Sequence, residues 1–522
     1  MKSHYKFRAL LFPIFGALAS CGGGDGGGMA GGGGGGGGST GWRPGVFLPS
    51  STYDALCASP RPGTSDRRGT VTDQNNWLRS WSNELYLWYG EIQDRDPSLS
   101  TTPAYFDLMR TTATTPSGQD KDKFHFTYDT DVWEQLSQGG VSAGYGAEFA
   151  LLASRPPRHI VVAYTEAGSP AAAVFQRGDE ILQVDGADAV NGATQQIVDT
   201  LNAGLFPDNT GENHTFMVRN TAGATRSVTI ASANITHVPV PIVTTFDSGQ
   251  VGYIQFNDHI ATAETPLRNA IAQLDTANVT DLILDLRYNG GGYLDMASEL
   301  AYMIANPTLT SGQTFERIVF NDKNPSRNPV TGESLTPTPF YSTTQGFQGP
   351  SGVALPTLSL NSVYIITGPG TCSASESIIN SLRGVTVKVY LIGSTTCGKP
   401  YGFYPTDNCG TTYFTIQFRG ENAANFGDYT DGFSPANTQG VRGTVVPGCS
   451  VADDFTHALG DAAEGRIAAA LSFRASNNQT CPVASGSSEP RVSKSSFGMR
   501  DDSNLAVSKP AARLNRIVRN IN

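Results

Sequence analysis

Two short stretches of this chain combine residue types able to carry out acyl transfer. Thr371-Cys372-Ser373-Ala374-Ser375-Glu376 sets a serine between a strand-like run and a helix-like one. At a helix start, unpaired N–H groups and the helix dipole favour a developing negative charge. Thr395-Thr396-Cys397-Gly398-Lys399 places a lysine just after the next strand-like run. A serine hydroxyl is a poor nucleophile without a base, and a lysine is a usable base only where burial lowers its pKa. The end of a strand in a packed sheet offers such a position. Ser373 is therefore the candidate nucleophile and Lys399 the candidate general base. Ser375 is the rival nucleophile, and Glu376 reads as a charge favoured at a helix N-terminus rather than a catalytic acid.

Other chemistries fit these residues less well. Histidines stand at 4, 125, 159, 214, 237, 259 and 457, none beside either stretch. His259 and Asp285 could still join Ser373, since Ser-His-Asp triads assemble from distant positions. Ser373 has no Gly-x-Ser-x-Gly frame, and the only Ser-x-x-Lys is Ser3–Lys6. No phosphate-binding glycine loop and no Cys-x-x-Cys pair with metal-site spacing occur, so neither cofactor nor metal is expected. A net charge of −10 over 522 residues repels phosphates and argues against a nucleic-acid partner.

The elements that must position Ser373 and Lys399 read as an α/β alternation. Val251–Phe256, Asp281–Leu286, Ser362–Thr367 and Lys388–Gly393 are apolar, β-branched runs. Helical spacing separates them at Thr265–Leu274, Leu294–Ile304 and Ala374–Leu382, which implies parallel strands in a covered sheet. Upstream, Ile160–Tyr164, Glu180–Val184 and Thr215–Val218 look like strands of a smaller β-rich domain, with a helix expected within Ala187–Asn202. The segment 42–139 is mostly helical in pattern, with apolar residues at 77, 78, 81, 85 and 88 across Asn75–Trp88.

Asp285-Leu286-Arg287-Tyr288-Asn289-Gly290-Gly291-Gly292, Ser373-Ala374-Ser375-Glu376 and Gly398-Lys399, in that order, resemble the C-terminal processing peptidases, or tail-specific proteases. Gly144-Tyr145-Gly146-Ala147-Glu148-Phe149 looks like the carboxylate-binding loop of a PDZ domain, and Gly168–Ala172 with Arg177–Gly186 is similar to the strand–turn–strand of bacterial PDZ domains. The resemblance implies an α/β multidomain protein: a helical segment (42–139), a PDZ-like domain (140–238) and a crotonase-like peptidase core (245–475). It assigns the nucleophile to Ser373 and the base to Lys399, with oxyanion donors from the backbone of Ala374 and Gly291. Substrates would be polypeptides whose free C-terminal tails dock on the loop 144–149. Two departures stand out: the glutamine many members carry four residues after the lysine is Phe403 here, and the usual proline of the glycine turn is Gly290.

The ends of the chain point to export. Lys2, Lys6 and Arg8 precede an apolar run too short to span a bilayer, and Leu18-Ala19-Ser20-Cys21 resembles a bacterial lipobox. Cys21 is thus the expected lipidation site, with residues 1–21 a lipoprotein signal and the glycine-rich 22–41 a flexible tether of roughly 25 Å. Periplasmic anchoring follows, with the outer membrane favoured by Gly22. The six remaining cysteines can form up to three disulfides, among which Cys397–Cys409 is the expected pair because they bracket a short Gly/Pro segment. Residues 476–522 are polar and read as a loosely ordered tail.

Overall fold

The computed structural model describes residues 42–486, Val507 and Arg516–Ile517. Cys21, the glycine-rich stretch and the other residues beyond 486 lie outside this set.

Helix α1 (Val71–Leu85) starts where Thr70 and Asp73 cap each other's backbone N–H groups. It buries Trp77, Leu78 and Trp81, and the two indoles stack 5.0 Å apart against Tyr413. The helix ends before Trp88 because the Leu87 N–H donates to Ile416 O (2.8 Å). Strand β1 (Phe126–Asp129) and helix α2 (Thr130–Gly139) follow, and β1 pairs with Thr411–Phe414. The N-terminal segment is therefore built onto the α/β core rather than beside it.

The β-rich domain forms an antiparallel sheet from β2 (Ala147–Ala153), β3 (His159–Thr165), β4 (Glu180–Val184), β5 (Asn213–Arg219) and β6 (Thr225–Ala231), in the order β6-β5-β4-β3-β2. Helix α3 (Gln195–Leu205) closes over it, with Leu201 and Leu205 packed on Phe149, Val184 and Phe216. The helix begins later than its apolar pattern suggests. Ala187–Asp188 is drawn into pairing with β4, and Thr194 then caps the first turn. The arrangement is PDZ-like, with β2 at the sheet edge.

The core sheet comprises β7 (Ile242–Phe246), β8 (Val251–Gln255), β9 (Asp281–Asp285), β11 (Ser362–Thr367), β12 (Lys388–Gly393) and β14 (Gly448–Ser450), hydrogen-bonded in that order. All pairs are parallel except β7–β8. The short strands β10 (Gly292–Tyr293) and β13 (Tyr401–Gly402) lie outside this sheet. Helices α4 (Glu264–Thr276), α5 (Leu294–Ile304) and α6 (Ala374–Gly384) contribute to the larger apolar cluster, and α7 (Gly465–Ala475) to a second one against the same strands. With β9, β11 and β12 adjacent and parallel, the loops after their carboxyl ends converge, the usual place for a site in such sheets. Those loops are the glycine turn, the Ser373 stretch and the Lys399 stretch.

The disulfides are Cys57–Cys409, Cys372–Cys397 and Cys449–Cys481. The expected Cys397–Cys409 pair does not form. Cys397 stays at the sheet end, its N–H donating to Thr371 O (3.0 Å), while β13 and the following hairpin carry Cys409 away to the N-terminal segment.

Two buried acids hold a loop next to the site. Glu264 and Glu299 both accept from the Gln345 N–H (2.9 and 2.7 Å), and the ring of nearby Phe347 packs 4.9 Å from Tyr293 of β10. Burial, with the charge of Glu264, pushes the Glu299 carboxyl up to about 9. The folded chain thus keeps a proton that the unfolded chain releases near 4.5, so this site loses stability as pH rises between those values. In unfolding titrations, Glu299→Gln is expected to lose at least about 1 kcal/mol less stability than wild type between roughly pH 5 and 9.

Candidate active site

Ser373 sits in a sharp bend between β11 and α6. Its φ of 59° and ψ of −114° are unusual for a non-glycine residue, and such strain persists only when the surroundings impose it. The bend is held from both sides. Thr371 donates through its hydroxyl to Leu286 O (2.7 Å), and the Cys372 N–H donates to Asn289 O (3.1 Å). The Ser373 Oγ is buried with no hydrogen-bond partner among the described residues. A side-chain oxygen left unpaired at an imposed bend is poised for chemistry rather than for structure.

Glu376, one helical turn on, organises the site. Its Oε2 accepts from the Ser373 N–H (3.0 Å) and from the Lys399 N–H (2.8 Å). Its Oε1 accepts from the Gly398 N–H (2.9 Å) and the Thr396 hydroxyl. One carboxylate oxygen thus joins the two stretches singled out by sequence, and their backbone nitrogens lie no farther apart than those two hydrogen bonds laid end to end. The Cys372–Cys397 disulfide ties the same two loops covalently. Burial pushes the Glu376 carboxyl up, against the four hydrogen bonds that favour its charged form. Gly398 packs directly on a third segment: a Cβ there would lie 2.2 Å from Thr430 O.

Lys399 is fully buried. Its Nζ lies 4.3 Å from the Phe403 ring centroid and 4.9 Å from that of Phe124. Phe403, at the position where the family resemblance implies glutamine, presents an aromatic face to the amine. Lys123 adds a second amine nearby, donating to Cys397 O at 3.4 Å, with its pKa lowered by burial. Sequence reasoning passed over Lys123 and Phe124, because only the pairing of β1 with Thr411–Phe414 brings their segment here.

The other candidates fall as follows. Ser375 donates to Asn289 O (3.0 Å), which commits it to holding the glycine turn. Ala374 is the first residue of α6, so its N–H is one the helix itself cannot pair. The Gly291 N–H is engaged with Asn289 Oδ1 (2.9 Å), so its expected oxyanion role requires that bond to open. Asp285 is taken by Tyr253 and Arg287, not by His259. His259 is bonded to Asn289, and burial holds it neutral with a pKa of about 3. The Ser-His-Asp alternative is not assembled.

In the PDZ-like domain, Gly144 ends a strand pairing with Ala233, and the Tyr145 hydroxyl is pinned to Gly204 O. Gly146 O accepts from Glu166, Ala147 and Glu148 open β2, and Phe149 lies in the domain core. The domain reaches the glycine turn through Arg177, which contacts the Tyr288 hydroxyl (2.7 Å) and Asp453 (2.8 Å). Asp453 also binds Arg287, whose guanidinium is shared with Asp285 and Glu464. The charges of Arg466, Arg287 and Arg177 around Asp453 outweigh its burial and hold its carboxyl far below the ordinary range.

Glu376→Gln replaces one accepting oxygen by an NH₂ that cannot accept, so at least one of the three backbone N–H groups is orphaned. The expected cost is about 2–3 kcal/mol in chemical unfolding. The same substitution is expected to lower hydrolysis of an unfolded protein by about 100-fold or more.

Residues 250–403, which span the glycine turn, Ser373 and Lys399, match Peptidase family S41. A carboxyl-terminal-processing protease of Picosynechococcus sp. is 25% identical over 247 residues, covering 44% of this chain and 49% of the relative. The aligned part thus spans about half the length of that relative. An S41-assigned protein from Bacteroides fragilis superposes with a TM-score of 0.54 at 22% identity, covering 77% of this chain and 98% of that one. The PDZ domain of a carboxy-terminal protease from Vibrio cholerae matches 18% of this chain and 97% of its own length, at 21% identity and a TM-score of 0.15. Residues 250–403, with all three site-forming loops inside them, thus carry the match to Peptidase family S41, and the carboxyl-terminal-processing protease is what this chain is similar to over part of its length.

Proposed function

We propose that this chain is an exported serine endopeptidase that cuts polypeptides near their C-termini with a Ser373–Lys399 dyad. The observation that carries the reading is the single Glu376 oxygen shared by the Ser373 and Lys399 backbones. Ser373 Oγ attacks the scissile carbonyl carbon while Lys399 Nζ takes its proton. The resulting oxyanion is received by the Ala374 N–H, joined by Gly291 once its bond to Asn289 opens. Lys399 returns the proton to the departing amine, and water, deprotonated by the same lysine, releases the acyl-enzyme. An extended tail captured at the loop 144–149 would lie along the edge strand β2 before reaching the core. Lipidation at Cys21 and the glycine tether would hold this activity at a bacterial membrane facing the periplasm. Release of a Cys21→Ser protein from membranes is the outcome expected for that anchor.

A second reading, a lipid-tethered PDZ scaffold without hydrolysis, is favoured only by Phe403 and the engaged Gly291 N–H. Incubation with unfolded exported proteins separates the two. Wild type is expected to shorten them, while Ser373→Ala and Lys399→Arg fall by about 1,000-fold or more, the arginine being a cation that does not deprotonate. Equal survival of substrate with folded wild type and both variants would leave the scaffold reading. Cleavage by Ser373→Ala but not by Ser375→Ala would move the nucleophile.

A further inference from the structure

The far end of the Lys399 side chain is met by two aromatic rings. Its Nζ stands 4.3 Å from the centroid of Phe403 and 4.9 Å from that of Phe124. Lys399 and Phe403 are 0% exposed and Phe124 is 2% exposed. Both distances fall within the roughly 6 Å over which the negative face of a ring attracts a cation. Glu376 holds this lysine at its backbone N–H (2.8 Å), and the rings hold it at the amine.

Each ring is fixed by neighbours of its own. Phe403 packs edge-to-face against Phe126 of β1 (5.8 Å) and against Phe414 (5.2 Å), and those two stack 4.4 Å apart across the β1 pairing. The Phe124 N–H donates to Asp122 Oδ1 (3.0 Å), and the Tyr86 hydroxyl donates to the other oxygen of that carboxylate (2.7 Å). The N-terminal segment therefore supplies one ring and braces the second. A ring face stabilises an ammonium and does far less for a neutral amine, whereas burial disfavours the ammonium. As Ser373 Oγ bonds to the scissile carbon, the carbonyl electron pair moves onto its oxygen and the Oγ proton passes to Lys399 Nζ. The amine thus becomes charged inside a buried pocket, where a partner already in place is worth most.

We infer that Phe124 and Phe403 are positioning residues that stabilise the ammonium formed on Lys399 as it takes the serine proton. Phe403 does so at the position where the family resemblance implies glutamine. The inference rests on the Ser373–Lys399 reading for the origin of the proton, though not for the hold of the rings on the amine. The charged groups packed around this corner are Glu376 of α6, on the Lys399 N–H, and Lys123, which donates to Cys397 O (3.4 Å). Asp120 and Asp431 act on Lys123 in turn. A change confined to the ring of Phe403 alters none of these charges, so its effect on Lys399 reports the ring.

The test places mono-, di- or trifluorinated phenylalanine at position 403 of the full chain. Fluorine drains the negative ring face while nearly keeping its shape, so packing alone would leave the readouts unmoved. Lys399 is followed by NMR of lysine labelled at its ε-carbon, its signal being the one lost in Lys399→Arg. Because the rings favour the ammonium, draining them is expected to lower the Lys399 titration midpoint by about one pH unit across the series. An unchanged midpoint overturns the inference. The acid limb of kcat/KM for an unfolded protein is expected to move down in step, and its plateau to fall about threefold or more as the base weakens. A midpoint that moves while limb and plateau stay fixed overturns the positioning role. No hydrolysis by the unsubstituted chain removes the peptidase reading and the positioning role with it, while the midpoint still decides whether the rings hold the amine. Phe124→Leu, shown to be folded by chemical unfolding, is expected to lower the midpoint in the same direction. An unmoved midpoint there overturns the assignment of Phe124.

Discussion

A buried carboxylate shared between two loops is the constraint on which the site depends. Serine and lysine leave the sheet end on adjacent, paired strands, with α6 and β12 between them. Backbone pairing runs only as far as the Cys397 N–H to Thr371 O bond, so something beyond it must keep Ser373 and Lys399 in register. Glu376 does so by accepting N–H groups from both on one oxygen and from Gly398 on the other. Because those donors are buried, removing their acceptor costs desolvation that water cannot repay. The disulfide between Cys372 and Cys397 adds a covalent tie across the same gap. The bend at Ser373, costly in isolation, is sustained by these ties together with Thr371 and Asn289.

The same logic extends outward in shells. Asn289 links the glycine turn to the Ser373 bend and to His259, so the turn and the bend are tied to one another. The glycine turn is anchored in turn by Arg287, enclosed by Asp285, Asp453 and Glu464. A buried cation with several acid partners is costly to disturb, since loss of one partner leaves uncompensated charge worth about 3–5 kcal/mol. Arg177 enters this cluster from the PDZ-like domain, so a shift of that domain bears directly on Tyr288 and the turn.

Much of this could be read from the chain alone, and the exceptions have causes. The runs Ser362–Thr367 and Lys388–Gly393 fold as strands with the boundaries expected, because β-branched residues bounded by turns admit few other states. Residue type and position bring Ser373 and Lys399 forward as candidates in the chain alone, whereas Glu376 reads there only as a helix-terminal charge. Its three-residue spacing from Ser373 reveals half of its bonding, and the half towards Gly398 and Lys399 exists only once β11 and β12 are paired. The Cys397–Cys409 expectation failed for a related reason: nearness along the chain said nothing about a hairpin that turns away to Cys57.

The central claim is that Glu376 and the disulfide hold Ser373 against Lys399 so that the lysine activates the serine. Labelling with a fluorophosphonate, which phosphonylates activated serines, followed by peptide mapping, reads that activation directly without a substrate. The account predicts modification of Ser373 in the wild-type protein, none in Lys399→Arg, and labelling slowed by about tenfold or more in Glu376→Gln. Modification of a different residue, or equally fast labelling of Ser373 in Lys399→Arg, would contradict it.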